Sequence, residues 1–194
     1  SVIANITINQ KHFLEKHELI QDMLNDKLLY GVGVSLTNIC PELISLLREC
    51  PNAVVHVING VVPIEDLTTL FDLNLKILIL GFKEFRRGSQ YYSRQTKTNK
   101  ALLYEFLPQI LEHFQVISFD NLAVKQLDVK RLLSAQDWKE FYMGDDGSFT
   151  MYIDMVKKEF ARSSISNKRF KLLDDIEEMF SIVREQSKQN NKEN

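Results

Sequence analysis

Strand-like and helix-like segments alternate along most of this chain, and that rhythm limits the fold more than any other feature. Val2 to Asn9, Gly31 to Thr37, Ala53 to Asn59, Lys76 to Phe82 and Val116 to Asp120 are short and rich in branched residues, as strands are. Between them lie segments of helical spacing: Phe13 to Asn25, Pro41 to Glu49, Pro63 to Asp72 and about Asn99 to Phe114. Pro41 and Pro63 sit where proline opens a helix. Strands separated by helices imply right-handed βαβ units and a parallel sheet.

Alternation within the strands carries the next step. A parallel strand buried on both faces is almost continuously apolar. Here Ile6 and Ile8 oppose Asn5, Thr7 and Asn9, and Val32, Val34 and Leu36 oppose Gly31, Gly33, Ser35 and Thr37. Val55 and Val57 oppose His56, and Ser118 shares a face with Asp120. The branched faces are expected under helices. The small and polar faces are expected to converge on a shared interior suited to a ligand, with its mouth at the C-terminal strand ends. The rival is an open doubly wound sheet with a glycine-rich phosphate loop after the first strand. The residues there, INQKHF, include no glycine.

Lys83 to Thr98 reads as a basic, aromatic loop. Beyond the fifth strand, 121–144 reads as two short helices and 148–164 as a hairpin turning near Lys157. Arg169 to Lys188 reads as an amphipathic closing helix. The expected fold class is α/β: a partial (β/α) barrel of about six mostly parallel strands with a C-terminal hairpin and helix. No domain boundary stands out, so residues 1–188 read as one domain and 189–194 as a polar tail. The abrupt start on a strand, without an initiator Met, is expected of a chain whose beginning lies upstream.

Bulk properties exclude several classes. No apolar run reaches the roughly 20 residues of a membrane span. The net charge of −2 offers no whole-chain attraction to nucleic acid or an anionic membrane. Two cysteines are too few for a disulfide framework, which favours a reduced, cytoplasmic setting.

Within this pattern the chain resembles the radical SAM family from its third barrel strand onward. IANITINQKHF is similar to that strand and its turn, and GVGVSLTN to the fourth strand, whose polar end meets S-adenosylmethionine. HVINGVVPIED is similar to the fifth, with a loose G-x-I-x-G-x-x-E pattern in which Ile58 and Gly60 fit. His56 replaces the first glycine, and Glu65 lies two places beyond the acid's position. KILILGFKEFRRG is similar to the sixth strand and loop, and FYMGDDGSFTMYIDMVKKEFARSS to a terminal hairpin in some members. The resemblance implies S-adenosylmethionine as cofactor, with Ser35, Thr37, Asn38, Ile58, Asn59, Gly60, Gly81 and Phe82 as its contacts. It implies Asn9, His56, Lys83, Arg86, Arg87 and Asp120 as substrate or partner contacts. A [4Fe–4S] cluster is implied only if an upstream segment supplies the C-x-x-x-C-x-x-C thiolates. Cys40 and Cys50 lie at either end of one helix, and there is no third cysteine. No metal site and no activity of the chain alone are therefore expected.

Each candidate has a structural alternative. Thr37 or Asn38 would cap the helix at Pro41. His56 would be a hydrogen-bonded core histidine, Gly60 a turn glycine, and Asp120 the cap of the next helix. Lys83, Arg86 and Arg87, interleaved with Phe85, Tyr91 and Tyr92, would either be a solvated loop or bind something anionic or planar. Three functions stay open. One is the cofactor and substrate pocket of a radical SAM enzyme. Another is a cluster-free, barrel-derived protein, such as a phage could encode, acting on a protein partner. The third is an unrelated α/β domain. An open six-stranded sheet leaves two unpaired edges, the first strand among them, and homodimer or partner pairing is expected along that edge.

Overall fold

The computed structural model describes residues 4–50, 52–84 and 87–190. Contacts divide the chain into two compact units, Ser1–Leu132 and Leu133–Asn194, where the sequence offered no boundary.

The first unit holds five parallel strands: β1 (Asn5–Asn9), β2 (Gly31–Ser35), β3 (Ala53–Ile58), β4 (Lys76–Leu80) and β5 (Val116–Phe119). Their spatial order is their chain order, so β1 and β5 are the edges. Helices α1 (Gln10–Asn25), α2 (Pro41–Glu49), α3 (Ile64–Thr68), α4 (Arg87–Tyr91), α5 (Arg94–Ile110) and α6 (Asn121–Gln126) connect and follow them. The strand sequences force a two-sided sheet. Val32, Val34, Val55, Val57, Ile77 and Ile79 form one core with Phe13 and Ile20 of α1, Leu43 and Leu47 of α2, Leu67 of α3, and Leu103 and Leu107 of α5. Each of these side chains contributes about 1.5–3 kcal/mol against the entropy of ordering the chain. On the opposite face, half-buried Val54, His56, Ile58, Leu78 and Leu80 stand apart from that core.

Three expectations for this unit change. The stretch Lys83 to Thr98 is not one long loop, because α4 occupies its middle and α5 begins at Arg94. Ser93 starts α5 with a capping box: its hydroxyl accepts from the Thr96 N–H, and Thr96 Oγ1 accepts from the Ser93 N–H. Neither Thr37 nor Asn38 caps α2. Cys40 is its N-cap residue, without a side-chain bond, and Pro41 at the first turn leaves fewer N–H groups to satisfy.

The second unit holds α7 (Ala135–Phe141), then β6 (Tyr152–Asp154), β7 (Glu159–Ala161) and β8 (Phe170–Lys171) as a three-stranded antiparallel sheet, and α8 (Ile176–Asn190). A hairpin is present near Lys157, as expected. Asp154 Oδ1 shapes its turn by accepting from the Val156 and Lys157 N–H groups, and Lys158 has φ 54°. The closing helix begins at Ile176 rather than Arg169, because Phe170 is a strand residue stacked on Phe160. Asp175 Oδ1 accepts from the Glu177 and Glu178 N–H groups at that start. Among the described residues the count of about six strands thus resolves into five parallel and three antiparallel strands in separate sheets.

Candidate functional site

Register places the sequence's polar residues in two rows across the face that helices α1, α2, α3 and α5 do not cover. One row is Thr7, Gly33, Val54, Lys76 and Val116; the next is Asn9, Ser35, His56, Leu78 and Ser118. Thr7, Asn9, Val116 and Ser118 at the edges are exposed, and the centre is half-buried. This corrects the expectation of a shared interior, because at the edge strands the face meets solvent.

His56 occupies the middle of that face. Its imidazole lies over the bare Cα of Gly33: a methyl group there would overlap Cε1 and come within 2.5 Å of Nε2. Glycine at position 33 is thus what lets the ring lie on the sheet. The ring's Nδ1 is buried and has no hydrogen-bond partner among the described residues. Burial holds the imidazole below the ordinary histidine pKa, so it is neutral near pH 7. This departs from the expected core histidine, which would be hydrogen-bonded. A neutral imidazole with an unused ring nitrogen can donate or accept one bond and can stack on a planar group.

The C-terminal strand ends are held by three side chains. Gln10, at the start of α1 and buried, accepts through Oε1 from the Thr37 and Asn38 N–H groups and donates to Asn38 Oδ1 at 2.9 Å. Gln126, at the end of α6, accepts through Oε1 from the Phe82 N–H (2.9 Å) and from Asn59 Nδ2 (3.1 Å). It donates to the Phe82 carbonyl at 2.8 Å. Asp120 Oδ1 accepts from the Ala123 N–H at 2.7 Å, capping α6, and from the Gly81 N–H at 2.9 Å. Gly60 turns at φ 89°, and a side chain there would strike the Thr96 carbonyl at 2.9 Å; its own carbonyl accepts from Asn99 Nδ2.

The candidate contacts therefore separate. Ser35, His56 and Ile58 share the open face, and Ser35 is the register partner of His56. Asn9 is on that face too, but its side chain caps α1 by accepting from the His12 N–H. Asn59, Gly60, Gly81, Phe82 and Asp120 do come together, as partners of one another and of α5 and α6. Asn59 is 1% exposed and lies on the helix side, where its Nδ2 donates to Gln126. Thr37 and Asn38 are held by Gln10. Lys83 is exposed, Arg86 lies outside the described residues, and only the backbone of Arg87 is described. Near them Lys97 and Lys100 lie over the Tyr92 ring, and Lys100 is ion-paired with Glu84 at 2.8 Å. The sequence reading missed Gln10 and Gln126. A glutamine directly after a strand, and one closing a short helix, are its only local signals.

A group of three or more His, Cys, Asp or Glu side chains able to hold a metal ion does not occur among the described residues. Cys40 and Cys50 terminate α2, and burial pushes the Cys50 thiol up. The described residues therefore do not fit an iron–sulfur cluster. A cavity of about 390 Å³ lies at the other, N-terminal end of the strands, lined by Leu47, Arg48, Leu73, Asn74, Lys76 and Gln115 among others. No described helix is long and apolar enough to cross a membrane. No protein-family model matches the chain, and no curated protein or solved structure does either.

Proposed function

We propose that the first unit is a small-molecule-binding domain whose ligand, a planar, nucleoside-like group, lies on the half-open sheet face around His56. The observation that carries this is the neutral imidazole seated on Gly33 with one ring nitrogen unused, beside Ser35 and between apolar Val54, Ile58 and Leu78. Apolar surroundings with few polar groups suit a heteroaromatic ring. S-adenosylmethionine is the first candidate, by the resemblance stated above. The same reading makes the sheet a portion of a (β/α) barrel. Strand order equal to chain order supports this, since a doubly wound sheet reverses its order at a switch point. On this reading the chain alone does no radical chemistry, lacking the three thiolates.

The test is an amide NMR titration with S-adenosylmethionine, S-adenosylhomocysteine and adenosine. Shifts centred on residues 33–35, 54–58 and 78–80, abolished in His56→Ala, are expected. Saturating ligand that leaves those amides unmoved sinks the reading.

A second reading, a protein that acts on a protein partner, is favoured by the second unit. There Phe141, Met143, Phe149, Met155 and Val156 are all more than 60% exposed. A partner that protects 141–156 from hydrogen exchange, and leaves 33–58 unaffected, would favour it.

A further inference from the structure

The edge strand β1 carries a symmetry that the ligand reading does not use. Its five residues, Asn5, Ile6, Thr7, Ile8 and Asn9, read the same in both directions. Parallel pairing with β2 turns alternate peptide groups inward. The Ala4 carbonyl is on the β2 side, where it accepts from the Tyr30 N–H, and Ile6 and Ile8 follow it. The N–H and C=O groups of Asn5 and Thr7, and the N–H of Asn9, then face the open edge. The strand has none of the usual protections of an edge: no proline, no charged side chain and no bulge.

We propose that β1 pairs antiparallel with β1 of a second copy, about a two-fold axis through Thr7, giving one ten-stranded sheet; the second copy then takes the place at this edge that an upstream strand would hold on the barrel reading. In that register Thr7 faces Thr7 of the second copy, Asn5 faces its Asn9, and Ile6 faces its Ile8. Every residue meets its own kind on both faces, which few strands of this length achieve. The outward peptide groups are those of a hydrogen-bonded pair at Thr7 and at the two Asn5–Asn9 positions. Four N–H···O bonds form without disturbing α1: two between the Thr7 residues, and one from each Asn9 N–H to an Asn5 carbonyl. Ile6 and Ile8, half-buried in each copy, become neighbours in the closely spaced pairs and lose their remaining exposure. A second copy fits this edge better than β5 does, because pairing β1 with β5 of another molecule is head-to-tail and would not close.

Five residues of strand pairing bury less than a standard interface, so the dimer is expected to be reversible. Sedimentation equilibrium across about 5 to 500 μM should show a monomer–dimer equilibrium with a micromolar constant. Thr7→Lys puts two ammonium groups face to face on the axis and should leave a monomer with an unchanged circular dichroism spectrum. Should that variant not fold, Thr7→Cys decides. Its Cα atoms would lie about 5.5 Å apart across the axis, within disulfide range, so it should cross-link on mild oxidation. Asn5→Cys, far from its own mate, should not. A monomer at the highest concentration, species larger than dimers, a dimer indifferent to Thr7→Lys, or equal cross-linking by the two cysteine variants overturns the proposal.

Discussion

Gln126→Ala should be among the most damaging single substitutions in the first unit, although the side chain is short of any ligand. The glutamine satisfies three groups: the Phe82 N–H, the Phe82 carbonyl and Asn59 Nδ2, at 2.9, 2.8 and 3.1 Å. Phe82 is 4% exposed and Asn59 1%, and Asn59 Oδ1 already has no partner among the described residues. Truncation leaves all three without a bond, at about 1–3 kcal/mol each. The lower end applies where water enters the vacated space, so the expected loss is about 3 kcal/mol in total. That corresponds to a fall in Tm of about 10 °C for a unit of this size. Urea unfolding followed by fluorescence or amide exchange gives the free energy directly. Gln126→Glu keeps the two acceptor bonds but sets a carboxylate oxygen against the Phe82 carbonyl, so it should not restore the stability of wild type. The double variant Asn59→Ala, Gln126→Ala should cost less than the two single losses summed, because each removes a partner of the other. A Gln126→Ala protein within about 1 kcal/mol of wild type would refute the view that this side chain holds the ends of β3 and β4.

Asp120→Ala removes both the cap of α6 and the Gly81 bond and should cost about 2–3 kcal/mol, whereas Asp120→Asn keeps an acceptor and should cost under about 1 kcal/mol; urea midpoints compare them. Gly33→Ala should lift the His56 ring off the sheet, and NMR titration should then find its pKa moved up toward 6.5. In wild type the folded pKa is the lower one, so the stability gained from burying the neutral ring is complete above pH 6.5. It is lost as pH falls through the folded value, and Gly33→Ala should flatten that decline. In the second unit, burial and the bond to Asp145 push Tyr142 up to about 12, so one tyrosinate should form late in an alkaline absorbance titration. Asp145→Asn should bring it forward.

The parallel sheet was readable because each strand carries its own period and each helix its own punctuation. Val32, Val34, Val55 and Val57 could only be a buried face, and Pro41 marks the start of α2 to the residue. Period two also placed Ser35 and His56 on one side. It put Asn59 on the side of Val55 and Val57 as well, but it could not say that His56 lies over Gly33, which depends on a contact between strands, or that Asn59 meets Gln126. The start of α5 was missed because its signal is a serine hydroxyl and a threonine three residues on, hidden among basic and aromatic residues. Gln10 and Gln126 were missed for a related reason. A glutamine earns its place through partners 27 and 44 positions away, and local spacing carries no trace of them.

Strand order has a consequence for how the sheet is made. Each strand joins the one synthesised just before it: Asn5 with Gly31, Val32 with Ala53, Val54 with Lys76, and Lys76 with Val116. No pairing must wait for a distant segment, and none has to be inserted between strands already joined. The sheet can grow outward from β1 as the chain leaves the ribosome, with each new βα unit docking on a finished edge. The longest delay falls at the last addition, because α4 and α5 both lie between β4 and β5.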